Sequence, residues 1–454
     1  MPNAPANPIP LKRRILAAGS WTLSGFALSY TIRLGSSLVL TRLLVPGMFG
    51  VMAIAGLVMT GLAMFSDVGL TQNIIQSRRG SDPVYLNTAW SIQIVRGLLL
   101  WLLALCISSL VFVAGHVGLV PKVSVYADPY LPYVIAVLSV CAVIGGFQST
   151  KLSEASRGLL LSRVTKIQIA AQIAGLICMI GWALIDRSIW ALVAGSISST
   201  LTATLLSHIW LPGVANRWHW DRSAFHDIIH FGKWMFLSSI LGFFVNNADR
   251  ILLGGFVDSA TLGIYSIAVT IVTSIAQILN KIFGDVSFPA LSEVERERPP
   301  ELKRTLYRFH IVTASFTYFC SGLLIGFGNI LIKLLYDPRY AQAGWMLEVL
   351  AVGLLAVPFN LAQLSLLARG LPRIFTNVIA IRLVVTIILI PLGFRFFGVP
   401  GALVAIVVSQ LSSSPVTIYY QIKYDLFDAA KELFILPAFF AGLMIAEIFN
   451  LVTR

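Results

Sequence analysis

The 454 residues are 57% hydrophobic and 12% charged, with a formal net charge of +13. Soluble domains carry about 25% charged residues, so this chain has too little charge to cover a water-facing surface. Its apolar residues come in blocks long enough to cross a bilayer at about 20 residues per helix, without the short alternating segments of a transmembrane β-barrel. The basic residues lie in short loops between these blocks, the pattern of topology signals, which argues against a nucleic-acid partner.

In chain order, residues 1–11 are rich in Pro and Asn, and Lys12-Arg13-Arg14 then precede an apolar block reaching Val45. That block is too long for a signal-peptide core and reads as a first spanning helix. Twelve further blocks follow, at about 48–70, 86–114, 131–150, 163–185, 188–211, 231–257, 260–284, 307–335, 341–368, 373–397, 399–422 and 433–451. Turn signals such as Pro46-Gly47, Asp82-Pro83, Pro212-Gly213, Asp337-Pro338 and Val399-Pro400 separate them. With the N-terminus placed in the cytoplasm, the alternating loops put most of the basic residues on that side, Arg78, Arg79, Lys151, Arg157, Arg217 and Lys303 among them. Few, such as Lys122 and Arg187, fall opposite, as the positive-inside bias requires. Cys106, Cys141, Cys178 and Cys320 lie apart inside apolar blocks, so no disulfide framework, metal site or cofactor is expected.

A shift of 213 residues aligns residues 19–63 with 232–276 without a gap: Gly19-Ser20-Trp21 meets Gly232-Lys233-Trp234, and Gly50 meets Gly263. The repeat spans six blocks, so both halves keep one orientation. The expected fold is an all-α polytopic membrane protein with two parallel six-helix lobes around a central cavity and one extra C-terminal hydrophobic helix. The expected organisation is a cytoplasmic tail at 1–18, an N-lobe at 19–211, an interfacial cytoplasmic linker at 212–230 and a C-lobe at 231–424. Residues 425–454 hold an amphipathic segment and the thirteenth helix. His208, His219, His226 and His230 gather around the linker with Trp218 and Trp220. Their spacing suits an interfacial linker helix better than a metal site.

The run from Leu40 through Arg42, Pro46, Phe49 and Gly50, with Phe65, Asp67, Gly69 and Gln76 after it, resembles the first hairpin of Wzx-type oligosaccharide flippases. Asn247, Asp249, Arg250, Gly254, Gly263 and Tyr265, then Phe288-Pro289-Ala290-Leu291-Ser292 and Gly370 with Pro372, carry the resemblance through the second half. These flippases form the polysaccharide-transporter branch of the multidrug/oligosaccharidyl-lipid/polysaccharide superfamily. The resemblance implies twelve to fourteen helices in two lobes and no catalytic residues. It implies export of undecaprenyl-pyrophosphate-linked oligosaccharide across a bacterial inner membrane, beside a polysaccharide polymerase and other assembly proteins. Members usually end both termini in the cytoplasm, whereas thirteen spans would not. Competing readings are another transporter of the superfamily, a peptidoglycan-precursor flippase or multidrug extruder, and a membrane polysaccharide polymerase. The last would need a large outer segment, and the longest outer loop is about Ala114 to Tyr130.

Moving an anionic sugar carrier through lipid calls for a hydrated cationic cavity. Arg33 lies in mid-span, where a charge costs at least about 2.5–3.5 kcal/mol. Thr22, Gly25, Ser29, Arg33 and Ser36 share one helical face. The alternatives for Arg33 are an interhelical carboxylate partner or snorkelling. The repeat sets Asn246 against Arg33 and Asp249 against Ser36. Arg96 and Arg382 lie some ten residues inside their spans, placed either to receive a pyrophosphate or to snorkel. The substrate-binding set is therefore Arg33, Arg96, Arg382, Asn246, Ser29 and Ser36. Asp249, Glu348 and Asp67 are candidates for ion coupling.

Overall fold

The computed structural model describes residues 11–66, 69–158 and 160–453. Among the described residues every block expected to span is helical over most of its length. The helices are α1 (Leu11–Leu43), α2 (Pro46–Phe65), α3 (Leu70–Gln76), α4 (Pro83–Val117), α5 (Leu131–Leu138), α6 (Val140–Gly146), α7 (Lys151–Arg157), α8 (Leu161–Ile185) and α9 (Trp190–Ile209). They continue as α10 (Arg222–Phe256), α11 (Ser259–Leu279), α12 (Asp285–Glu297), α13 (Leu302–Leu335), α14 (Ala343–Ala351), α15 (Val357–Ala368), α16 (Pro372–Leu411), α17 (Ser413–Lys423) and α18 (Ala429–Thr453). Among the described residues nine helical stretches are long and apolar enough to cross a membrane, or ten if the bent pair Leu131–Gly146 and Lys151–Arg157 is one span.

The chain divides into two compact units. One comprises Met1–Leu43, Ala55–His116 and Pro129–Phe243; the other comprises Leu44–Ile54, Val117–Asp128 and Phe244–Arg454. In the first unit, α8 and α9 are joined by a short turn and pack backbone to backbone. A Cβ on Gly175 would lie 2.7 Å from the Gly195 carbonyl oxygen, and one on Gly195 would lie 2.8 Å from that of Gly175. Small residues permit this approach where lipid gives no hydrophobic drive to bring helices together. Residues 212–221, expected as part of an interfacial linker helix, are not helical, and helix begins only at Arg222. The reason lies in α4. Its Asn87, Ser91 and Thr88 side chains accept the backbone N–H groups of Arg217 (2.9 Å), His219 (3.0 Å) and Asp221 (3.2 Å), doing the work of intrahelical bonds.

In the second unit the Val117–Asp128 loop docks on the end of α10. Ser124 Oγ donates to the Gly254 carbonyl at 2.8 Å and Tyr126 Oη to that of Ile251 at 3.0 Å. Burial pushes the Tyr126 phenol up to about 12. The stretch Pro372–Lys423 has 52 residues, far more than one crossing needs, and it reverses at Gly398 (φ 62°, ψ −146°). A Cβ on Gly393 would lie 2.4 Å from the Gly401 carbonyl oxygen, whereas eight residues of straight helix span about 12 Å. The two limbs, 372–397 and 399–423, are thus a hairpin, as the separate apolar blocks require. The thirteenth block, α18, lies along α13. A Cβ on Gly322 would meet the Phe439 carbonyl oxygen at 2.1 Å and one on Gly442 that of Phe319 at 2.2 Å. It is an integral helix of this unit.

Candidate functional site

The polar stripe of α1 divides between two tasks. Gly25 packs on α8, where an added Cβ would meet Thr165 Cγ2 at 2.0 Å, and the Ser29 carbonyl accepts from Gln172 Nε2 at 2.9 Å. One turn further, Arg33 and Ser36 leave this contact and line a cavity of about 530 Å³ in the first unit, together with Gln172, Gly175, Met179, Ser196, Ser199 and Thr200. The Gly175–Gly195 contact forms its wall, and residues 196, 199 and 200 share one face of α9. The hydroxyls of Ser36, Ser196 and Thr200 donate to the carbonyls of Arg33 (2.8 Å), Leu192 (2.9 Å) and Ser196 (2.9 Å). Each oxygen keeps lone pairs for a further donor. Among the described residues no carboxylate pairs with Arg33, which is exposed to the cavity side of its helix. A single guanidinium among hydroxyls and an amide can hold a phosphate by paired hydrogen bonds while its neighbours contact sugar hydroxyls or water.

Arg96 is engaged differently. Its Nε donates to Ser66 Oγ at 2.9 Å and its Nη2 to the Ala63 carbonyl at 2.7 Å. It thereby supplies a donor to the Ala63 carbonyl in the last turn of α2. It also borders a smaller cavity of about 250 Å³ with Thr71, Gln93 and Gln148.

The second unit gathers Asp249, Tyr265 and Arg382. Tyr265 Oη donates to Asp249 Oδ2 at 2.5 Å, Tyr265 is buried, and Arg382 lies within the electrostatic reach of Asp249. Asn246 is exposed on the same helix as Asp249. Glu348 bridges α14 to α13, accepting from the Asn329 backbone N–H (3.0 Å) and Nδ2 (2.7 Å). Asp67 and the side chain of Thr22 lie outside the described residues. Of the expected set, Arg33 with Ser36 in one unit and Asp249 with Arg382 in the other are brought together, while Ser29, Arg96 and Glu348 are engaged elsewhere.

Sequence reasoning missed Gln172, Ser196, Ser199 and Thr200, although the search for polar faces that singled out α1 would have found them on α8 and α9. It also missed a buried group in the second unit. His310 Nε2 meets Glu432 Oε1 at 3.0 Å, and Tyr307 Oη donates to the same oxygen at 2.9 Å. The 307/310 spacing on α13 was the available signal. Of the linker histidines, His208 bonds the Phe147 carbonyl at 2.8 Å and His226 stacks on His230. Among the described residues no three metal-ligating side chains converge.

The family model described as "Polysaccharide biosynthesis protein" matches residues 39–343. Lipopolysaccharide biosynthesis protein WzxC of Escherichia coli (strain K12) is 20% identical over 425 residues, 91% of this chain and 82% of the relative. A putative O-antigen transporter of Shigella flexneri is 22% identical over 415 residues, 86% of this chain and 94% of the relative. Among solved structures, the lipid II flippase MurJ in an inward closed conformation matches with a TM-score of 0.70 at 12% identity, covering 94% of this chain and 93% of that one. An inward-facing multidrug resistance MATE family transporter of the MOP superfamily matches at 0.64 with 14% identity, covering 89% and 95%. These two likenesses establish a shared fold. The chain belongs to the polysaccharide biosynthesis protein family and is a multi-pass membrane protein.

Proposed function

We propose that this protein is an inner-membrane flippase that exports undecaprenyl-pyrophosphate-linked oligosaccharide for surface polysaccharide, by alternating access between two lobes, 19–211 and 231–424. The observation that carries this reading is the Arg33 cavity, which places one guanidinium, without a carboxylate partner among the described residues, among hydroxyls and an amide inside a bundle of apolar helices. The names of the relatives support the substrate class. No bond is made or broken. The protein lowers the cost of moving a charged, hydroxyl-rich head group past lipid. Arg33 would hold the pyrophosphate, Ser36 and the α9 hydroxyls the adjoining oxygens, and Asp249 with Arg382 a second polar station in the other unit. The N-terminus, Arg78-Arg79 and the linker are assigned to the cytoplasm. The test is a strain lacking this chain. Lipid-linked oligosaccharide should accumulate facing the cytoplasm and surface polysaccharide should disappear, with rescue by the wild-type chain but not by Arg33→Ala. Accumulation of a peptidoglycan precursor instead would reassign the cargo, and intact surface polysaccharide would overturn the reading.

A further inference from the structure

Another cavity of the first unit, about 530 Å³, opens beside the Ser77–Asp82 turn and is lined by Asn73, Gln76, Tyr85, His226, Asp227 and His230. It contains no element of the Arg33 site. Its size falls within the usual range for small-molecule pockets.

The neighbouring guanidinium is shared among three carboxylates. Arg79 lies 3.5 Å from Asp227, 3.4 Å from Asp82 and 3.8 Å from Asp221, with its guanidinium over the Tyr85 ring at 5.5 Å. Asp227 would repel an anion, and among the described residues no three metal-ligating side chains converge here. The remaining groups are amides, a phenol and two imidazoles, all of which both donate and accept. Tyr85 Oη donates to Asn73 Oδ1, which orients the buried Asn73 amide and leaves its Nδ2 to donate. The His226 and His230 rings stand one helical turn apart and nearly parallel, at 19°, giving flat faces beside the amides. Alternating donors and acceptors beside flat rings match a ligand with neighbouring hydroxyls and a C–H face. They do not match a phosphate.

We propose that this cavity is a saccharide subsite, which takes the uncharged sugar end of the cargo on the Arg78-Arg79 side of the membrane. The identity of the cargo rests on the flippase reading; the chemistry of the pocket does not. The division of labour is then physical, with a cation among hydroxyls for the pyrophosphate at Arg33 and neutral hydrogen-bonding groups for sugars here.

The experiment uses the full chain in nanodiscs and saturation-transfer NMR with a panel of reducing hexoses and N-acetylhexosamines. At least one sugar should receive saturation. Gln76→Ala and His226→Ala should each weaken its binding by up to about tenfold, the value of one lost hydrogen bond. Both side chains are exposed, so the folded state should survive, and thermal unfolding curves matching wild type check this; His230→Gln is a third, conservative variant. Absence of transfer from every sugar, or transfer undiminished in all three variants, overturns the subsite. If export persists in cells without this chain, the flippase reading falls while the sugar-binding result stands or falls by itself.

Discussion

Gly50 and Gly263 occupy equivalent positions of the internal repeat, and each packs against the first residue of the other's helix. A Cβ on Gly50 would lie 1.9 Å from the Ser259 carbonyl oxygen, and a Cβ on Gly263 would lie 1.9 Å from the Pro46 carbonyl oxygen. Pro46 and Ser259 open α2 and α11 and are themselves 213 residues apart. The contact therefore maps onto itself under the repeat, like the self-complementary interface of a two-fold dimer. Chance similarity between two apolar helices would not produce this reciprocity.

Replacing either glycine should therefore cost the same. Gly50→Leu and Gly263→Leu should each lower stability by about 1–3 kcal/mol, the usual penalty for overpacking. The double variant should cost less than the sum, because both changes open one seam. Thermal unfolding in detergent reads all three. A large loss from one glycine and none from the other would show that the seam is not symmetric.

The two arginines of the first unit should separate cleanly. Arg33→Ala should abolish export and leave the unfolding temperature unchanged, and Arg33→Lys should restore part of the export through its charge alone. Arg96→Ala removes two hydrogen bonds from the end of α2 and should destabilise the protein by about 1–3 kcal/mol. Export lost in Arg96→Ala at unchanged stability would move that residue into the transport path.

Glu432 fastens the start of α18 to α13 through Tyr307 and His310. Glu432→Ala should leave those two groups without their acceptor, at a cost of about 1–3 kcal/mol, and raise amide hydrogen exchange at the N-terminal turns of α18 before the rest of the second unit. The adjoining cap should persist through mild acid. The Lys431 hydrogen bond holds the Asp428 carboxyl below the usual carboxylate range. A depressed folded-state value means that its contribution is present above the ordinary range and is lost as the pH falls below it. Uniform exchange along α18 in Glu432→Ala would show that the glycine contacts alone hold the helix.

Orientation has its own check. In a chain freed of its four cysteines, a single cysteine at position 122 should react with an impermeant reagent in intact cells, and one at 78 should not. Labelling at 78 with protection at 122 would invert the membrane orientation assigned here.

The spanning blocks were legible because a helix in lipid must satisfy its own backbone and present an apolar surface, and both demands are written locally. Arg33 was legible for the converse reason, since a charge in mid-span stands out against its surroundings. The α1 stripe was only half understood. Gly25 and Ser29 serve helix packing, and spacing alone does not distinguish a small residue that admits a neighbouring helix from one that lines a cavity. Arg96 and Glu348 found local partners at Ala63 and Asn329 that depend on long-range placement. The linker was misjudged because its backbone bonds are accepted by side chains of α4, more than a hundred residues earlier in the chain.

The reversal at Gly398 has a consequence for biogenesis. Between Arg382 and Lys423 the sequence carries one charged residue, Arg395, three positions before the turn. A translocon handling this stretch meets no hydrophilic loop to push across the bilayer ahead of the second limb. The limbs can enter the lipid as a preformed pair, and Arg382 and Arg395 are the charges inside the hairpin that resist partition, each at about 2.5–3.5 kcal/mol in mid-membrane and less near the interface. A polar tag inserted at the turn would force a second hydrophilic stretch through the channel, and it would disturb insertion of the chain rather than its transport cycle.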